Sequence, residues 1–462
     1  MKKVFAPLLI SAVALASLAF LPKEVKSVSA ASSVPTDIDL NDCTETEIRD
    51  YYKGLNSLGD SERQGTNLLK NLKPILKTNQ QTYNYDGSTG EVWKIYEISD
   101  RDWSLSPAKD IDGYNASTNK ISGYKYGTSV SNKGSNPYVH ALYVNRNIEN
   151  KTTAWDTHEQ GDIWGINREH VWPKALGFDD KNHPDGARGD LMHLIAGNGY
   201  ANNLHSNYYY GYVDKTKDYK DAGNEKNKKD EQYSNVGGNL LGKSKTLGGT
   251  TSVFEPQDSD KGDIARAIFY MAARYNFYSG NDDDGIDSFN PNLEIVNDVT
   301  SYSSKGYTSS TTSTGKNGIL QDLLEWNKLD PVDSYEIHRN NLLFRNYSFN
   351  RNPFIDFPDW ADCIWGTSSN GTYDPTTKGV ANPLTDKISE GTETPVTPSN
   401  PDQSSDSGID WKVVGIVAGI SIVIIIILII IFVSLSKRNK KKVLKVVKKS
   451  AKKSIKKSSS KK

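Results

Sequence analysis

Apolar residues recur at helical spacing along residues 45–72, at Ile48, Tyr52 and Leu55 and then at Leu68, Leu69 and Leu72, with a break near Gly59. The spacing predicts two short helices. Residues 92–98 alternate and predict a strand. Residues 99–165 are rich in Gly, Asn, Ser and Tyr, with one expected strand at 139–144. Residues 261–276 give the clearest helix: Ile264, Ile268, Met271 and Tyr275 share a face, Asp263 sits in the first turn, and Asp258 or Asp260 is placed to cap it. A further helix is expected at 319–326, ending before the Pro331 turn. The Ser/Thr/Gly run at 301–318 reads as a surface loop. The mixture points to an α+β body.

The two ends read differently. Residues 1–30 have the layout of a signal peptide: Lys2 and Lys3, an uncharged apolar run from Phe5 to Leu21, and small residues before Ala31. Residues 413–435 are almost pure Ile, Val and Leu without a charge, long enough to span a bilayer once. The basic tail that follows, 436–462, marks the cytoplasmic side and leaves the body outside the cell. Within the tail, Leu444, Val447, Ala451 and Ile455 fall at helical spacing, which suits either a helix lying on anionic lipid or a solvated stop-transfer tail. Between body (31–367) and span, residues 368–411 read as a flexible Pro/Ser/Thr-rich stalk.

Charge sharpens this division. Equal totals of 56 basic and 56 acidic residues hide an asymmetry. Residues 437–462 carry 14 Lys/Arg and no acid, and residues 1–30 carry four Lys and one Glu. That leaves residues 31–436 with 38 basic and 55 acidic side chains, a net charge of −17. Such a body does not by itself suggest a polyanion partner, but potential is local and a divalent metal brings its own charge. The two cysteines, Cys43 and Cys363, lie near the two ends of the body; one disulfide and two free thiols are both open.

The candidate chemistry lies in residues 157–211. Glu169 and His170 stand side by side, Arg188 follows, and Asn202, Asn203 and Asn207 come in an amide-rich segment. A Glu–His pair in isolation reads most simply as a surface carboxylate beside a half-buried imidazole. Neighbours on a strand point to opposite faces, so both serve one site only if the strand ends or bends there, and Pro173 fits such an end.

The runs Arg168-Glu169-His170-Val171-Trp172-Pro173, Asp190-Leu191-x-His193-Leu194 and Asn202-x-x-x-Ser206-Asn207 resemble the bacterial endonuclease I family, secreted or periplasmic nucleases of the His-Me finger (ββα-metal) class. Phe254-Glu255-Pro256, Lys261 to Arg266, Tyr270-Met271-x-x-Arg274-Tyr275, Leu323 to Trp326 and Asn350 to Asp356 are similar to that family too, in its order, over residues 45–366. The resemblance implies that His170 is the general base, that Glu169 and Asn202 hold one Mg²⁺ (Mn²⁺ or Ca²⁺ being the alternatives), and that Arg188 steadies the scissile phosphate. A neutral imidazole takes a proton near pH 7, a hard ion prefers oxygen ligands, and a guanidinium matches phosphate oxygens. Apart from the resemblance, His193 reads as a structural or supporting histidine rather than a ligand, and Asn207 as fixing a turn beside the site. Met192, Ala196, Asn203, Leu204 and His205 depart from the family pattern, and the loss of a basic residue at Leu204 is expected to weaken substrate binding.

These readings converge on a membrane-tethered extracellular endonuclease acting on DNA, with RNA as a second candidate, and with little sequence preference because phosphates rather than base edges are gripped. The expected partners are nucleic acid and lipid bilayer; no protein partner is inferred. The rival is a surface adhesion or nucleic-acid-binding module of weak activity on the same fold. A zinc hydrolase built on His170, His183, His193 and His205 lacks both a His-Glu-x-x-His helix and a compact ligand spacing.

Overall fold

Thr44 opens helix α1 (Glu45–Tyr51) with a reciprocal cap: its side chain accepts from the Glu47 amide, and the Glu47 carboxylate accepts from the Thr44 amide at 2.8 Å. Helix α2 (Gly65–Lys77) buries Leu68, Leu69, Leu72 and Leu76, the stripe its spacing predicts. The computed structural model describes residues 34–85, 91–104, 106–126, 139–144, 166–178, 186–222, 237–277, 291–300, 315–366 and 373–391.

Two expected strands are not strands. Residues 92–98 belong to helix α3 (Glu91–Ser99), buried along its whole length. A helix covered on every side carries apolar residues on every side, so Val92, Ile95, Tyr96 and Ile98 satisfy both periods. Residues 139–144 make only isolated bridges, Arg101 to Val139 and Leu142 to Gly197, and Tyr143 turns into the left-handed region at φ 71°. Its amide is taken by Asp260 Oδ2 and its carbonyl accepts from Asn239 Nδ2 at 2.9 Å, which holds the strained backbone in place.

β1 (Ile38–Asp39), β2 (Tyr114–Asn115) and β3 (Lys120–Ile121) form a small antiparallel sheet in the order β1-β3-β2. β4 (Ile166–His170) pairs antiparallel with β5 (Leu194–Asn198), Glu169 opposite Ile195 and His170 opposite Leu194. Helix α4 (Gly199–His205) follows β5 directly. Asn198 ends the strand and caps the helix, its Oδ1 accepting from the Tyr200 and Ala201 amides at 3.0 Å. A second sheet has the order β6-β9-β8-β7, from β6 (Tyr209–Tyr210), β7 (Lys220–Asp221), β8 (Leu240–Lys243) and β9 (Ser252–Glu255). β10 (Glu294–Ile295) and β11 (Lys316–Asn317) pair in parallel.

Helix α5 (Lys261–Arg274) runs through the middle of these elements, packed against α2 and α6 (Leu320–Leu329). The expected single apolar face is a whole buried circumference. Its charges are therefore paired: Lys261 with Glu255 at 3.0 Å, and Arg266 with Glu336 at 2.5 Å. Asp260 stands at the N-cap but makes no side-chain cap there, because it is committed to Tyr143 and to Gln257 at 3.0 Å. Helices α7 (Ser334–Leu342), α8 (Pro353–Asp356) and α9 (Trp360–Trp365) close the far side, burying Trp360 and Phe354 completely.

Cys43 and Cys363 are both free thiols, so the open pairing resolves without a disulfide. Part of the expected stalk is fastened to the body: Arg49 Nη2 donates to the Asp386 carbonyl at 3.2 Å, Trp360 Nε1 to Asp386 Oδ2 at 2.7 Å, and Ser389 N to the Asp356 carbonyl at 3.0 Å. Among the described residues no helix is long and apolar enough to cross a membrane. The expected signal peptide, span, tail and outer stalk (392–411), and the loop core at 301–314, lie outside the described residues.

Candidate active site

Glu169 and His170 are the last two residues of β4, and strand alternation sends them to opposite faces. β4 ends at His170, so both side chains leave from the end of the strand. Gly197 makes the Glu169 face possible: a Cβ there would come within 3.0 Å of the Glu169 Cβ.

On that face the Glu169 carboxylate is 2% exposed. Its Oε1 accepts from Tyr143 Oη at 2.7 Å, from Tyr210 Oη at 3.3 Å, and meets His205 Nδ1 at 2.8 Å. Burial, and after it the neighbouring carboxylate, push both phenols well above their ordinary range, so both remain donors. The other His205 nitrogen, Nε2, lies 3.0 Å from the Tyr208 carbonyl. His205 comes from the last turn of α4, and Asn202 lies three residues earlier on neighbouring helical surface. Asn202 is half-buried, whereas Asn203 is exposed. Asn207 sits half-buried in the turn after α4, following Ser206 at φ 53°.

The donor chemistry at this end suits a hard divalent ion. All three described bonds to Glu169 end on Oε1, and Asn202 adds an amide oxygen on the same helix as His205. Among the described residues no group of three or more His, Cys, Asp and Glu side chains is gathered to hold a metal.

On the other face lies His170. Its Nε2 is 2.8 Å from the Arg188 main-chain carbonyl. A carbonyl only accepts, so Nε2 carries the proton and Nδ1 keeps its lone pair. Burial, then the neighbouring His193 ring, and then the Lys174 and Arg188 charges hold the imidazole well below its ordinary range, so it is neutral at pH 7. His193 packs beside it with ring centroids 5.4 Å apart and its own Nε2 2.8 Å from the Ala187 carbonyl. Both histidines are thus pinned by the turn Gly186–Gly189, which also carries Arg188, a side chain 1% exposed. Gly189 is required there: a Cβ would stand 1.7 Å from the Tyr83 carbonyl. That close approach lets Tyr83 N donate to the Gly189 carbonyl at 3.0 Å.

Glu169, His170, Arg188, Asn202, His193 and Asn207 are therefore gathered around one hairpin and the helix that leaves it. Sequence reasoning missed Tyr143, Tyr210 and Tyr85, whose ring lies 4.5 Å from that of His170, and it noted His205 only as a departure from the family pattern and as one histidine of a zinc site lacking the ligand spacing. For His205 a signal existed: it follows Ala201 by four residues and Asn202 by three, on one helical side. The tyrosines are brought in by long-range packing and had no local signal.

Fold and site define an α+β enzyme with its polar centre at the end of a β-hairpin. The family model for endonuclease I matches residues 64–359. The chain belongs to the endonuclease I family. It is similar to the extracellular ribonucleases of Bacillus subtilis (strain 168) and Bacillus amyloliquefaciens, each 37% identical over 205 residues, or 44% of this chain. That stretch covers 56% and 55% of those proteins, so the chain spans about half the length of the curated relatives it matches.

Proposed function

We propose that this chain is a metal-dependent endonuclease of the His-Me finger class that hydrolyses phosphodiester bonds in DNA and RNA with little sequence preference. The observation that carries this reading is the state of His170: neutral, with Nε2–H held by the Arg188 carbonyl and Nδ1 left as the base, one residue from a buried carboxylate.

The substrate phosphate would lie across the end of β4. Nδ1 of His170 takes a proton from water as the water oxygen bonds to phosphorus, and the P–O3′ bond breaks; the leaving oxygen takes a proton from solvent and becomes a 3′-hydroxyl, and the phosphate stays on the 5′ end of the other fragment. Arg188 offers N–H donors to the non-bridging oxygens. Glu169 and Asn202 would hold one Mg²⁺, which supplies positive charge against the leaving oxygen when bound. Half-burial of Asn202 supports it over the exposed Asn203 as the amide ligand. Tyr143, Tyr210 and His205 keep Glu169 Oε1 fixed, which orients the carboxylate. The extracellular ribonuclease relatives support RNA as a substrate beside DNA.

The apolar runs at 1–30 and 413–435 and the basic tail support export and a single span, with the body outside the cell. Lys437→Glu with Arg438→Glu, followed by protease protection, tests that orientation; an unchanged pattern would place the signal elsewhere.

For the activity, the full chain is incubated with plasmid DNA and with single-stranded RNA, in Mg²⁺ and in EDTA, beside His170→Ala. Cleavage requiring both metal and His170 is the expected result, with kcat lowered by about 10²–10⁴ in the variant. A folded, metal-supplied protein that cuts neither substrate would favour a binding module instead.

A further inference from the structure

A groove runs along α4 on the side away from Asn202. Tyr200, Asn203 and Leu204 line it from the helix, Ser206 and Tyr208 from the turn that follows, and Lys220 and Leu241 from β7 and β8. With 3.6 residues per turn, Asn202 stands about 160° round the helix axis from both Tyr200 and Leu204. Neither Glu169, Asn202 nor His205 lines the groove. Its volume is about 330 Å³, at the small end of the range that holds a small molecule.

Floor and rim differ in character. Tyr200, Leu204, Tyr208 and Leu241 are half-buried and pack against the core, so the rings and aliphatic chains are held in place. Asn203, Ser206 and Lys220 are exposed, and none of these three side chains has a hydrogen bond or ion pair among the described residues. Lys220 stands opposite Leu241 in the β7–β8 ladder, which sets the ammonium beside the apolar floor. Ser206 has φ 53° and ψ −112°, a backbone state that suits glycine. Its amide donates to the Asn202 carbonyl at 2.8 Å, and Tyr208 N donates to the His205 carbonyl at 3.0 Å. The end of α4 thus holds the strained turn, and with it the Ser206 hydroxyl at the rim.

Each part narrows the ligand. Two rings beside an aliphatic floor suit a flat, apolar face. The ammonium and the hydroxyl offer donors to an anion, and no acidic side chain lines the groove to compete for the ammonium. The Asn203 amide both donates and accepts, as the edge of a nucleobase requires. A bare anion would use the rim and leave the rings wet; an apolar ligand would use the floor alone. We propose that the groove is a second nucleotide site, apart from the catalytic centre. It takes one unpaired nucleotide, with the base on Tyr200 and Tyr208, the base edge at Asn203 and the phosphate at Lys220 and Ser206. The proposal rests on the nuclease reading for the source of that nucleotide, which is either a unit of the substrate strand or a 5′-phosphorylated product. The base is unpaired because Asn203 takes the edge that a complementary strand would occupy. Asn203 and Leu204, two departures from the family pattern, thereby gain a use: one reads the edge and the other builds the floor.

The test is binding in EDTA, which prevents cleavage. Adenosine 5′-monophosphate, adenosine and inorganic phosphate are titrated separately into the full chain by isothermal calorimetry. The monophosphate should bind tighter than either part by about tenfold or more. Lys220→Ala should weaken the monophosphate by about tenfold and leave adenosine unchanged. Tyr208→Ala should weaken both by about tenfold, and Tyr208→Phe, which keeps the ring, should bind as the wild type does. Monophosphate affinity that is nil in the wild type, or equal in the wild type, Lys220→Ala and Tyr208→Ala, would overturn the site, as would Tyr208→Phe failing as badly as Tyr208→Ala. If Tyr208→Ala does not fold, Lys220→Ala at its exposed position carries the decision. A 12-nucleotide single-stranded DNA separates the two sources. Weaker binding of this strand by Lys220→Ala supports the site as one for a unit of the strand; a loss confined to the monophosphate supports it as one for a product. A protein with the expected affinities that cuts nothing would overturn the nuclease reading alone; one that cuts but binds the monophosphate equally in wild type and Lys220→Ala would overturn the second site alone.

Discussion

His205 Nδ1 lies 2.8 Å from Glu169 Oε1, with both side chains buried. The contact joins the last turn of α4 to the end of β4, so the helix that presents Asn202 is registered against the carboxylate it would work with. Removing the imidazole leaves that oxygen with two tyrosine donors and a void beside it. His205→Ala is expected to raise the Mg²⁺ concentration needed for half-maximal activity by about 10- to 100-fold, with a smaller change in kcat at saturating metal. A metal titration of the purified variant decides the matter. An unshifted curve would mean that Tyr143 and Tyr210 orient Glu169 without help.

The Arg188 carbonyl dictates which nitrogen of His170 is the base. With Nε2–H donated to that carbonyl, Nδ1 is the unprotonated atom. Nitrogen-15 spectra of imidazole-labelled protein at pH 7 should show His170 as the Nε2–H tautomer, neutral, with a pyridine-like Nδ1. A protonated Nδ1 would remove the proposed base and oblige another group to activate water.

The sequence exposed much of this arrangement, and physical reasons mark where it stopped. The amphipathic stripe of α2 and the position of α5 were legible because one period fits them and end signals flank them. Glu169, His170, Arg188 and Asn202 were singled out through the resemblance to the family, and the structure places them on one hairpin and the helix that follows it. Helix α3 was not, because burial on all sides erases the difference between periods of two and 3.6. Tyr143 was not, because its left-handed backbone is stabilised by Asp260, which stands 117 residues away. Tyr85, whose ring lies 4.5 Å from that of His170, was hidden for the same reason: its carbonyl accepts from Arg168, 83 residues away. What a single sequence cannot carry is contact between distant residues, and the parts that orient the site are contacts of that kind.

Asp322 on α6 offers a pH test away from the site. Its Oδ2 accepts from Tyr212 N at 2.9 Å and its Oδ1 from Thr246 Oγ1 at 2.6 Å, yet burial outweighs these bonds and pushes the carboxyl up to about 6. The folded state therefore holds this proton more tightly than the unfolded chain does. Its contribution is fully present below the unfolded value of 3.8 and is lost as pH rises toward about 6. Asp322→Asn keeps an acceptor for Tyr212 N and gives Thr246 a donor in exchange, without the buried charge. The variant is expected to gain on the order of 1–3 kcal/mol over wild type at pH 7, and little near pH 4. Urea melts at the two pH values measure it. A variant less stable than wild type at pH 7 would show that the ionised carboxylate is better solvated than its burial implies.

The two thiols give a last test, of how the ends of the body are held. Cys43 Sγ accepts from Arg351 Nη1 at 3.1 Å, and Arg351 is in turn paired with Asp356 at 2.6 Å. Cys363 is buried on α9, and burial pushes its thiol up to about 12, while burial raises Cys43 as well. Only the thiolate attacks a disulfide reagent, so both should react slowly in the folded chain near pH 8 and appear together on unfolding. Reductant should leave the melting temperature unchanged, because there is no cross-link whose loss would release loop entropy. Finding no free thiol in the unfolded, unreduced protein would overturn this. It would then require the Arg351–Cys43 contact to give way to a bond tying residue 43 to residue 363, and a fall in melting temperature under reduction should accompany it.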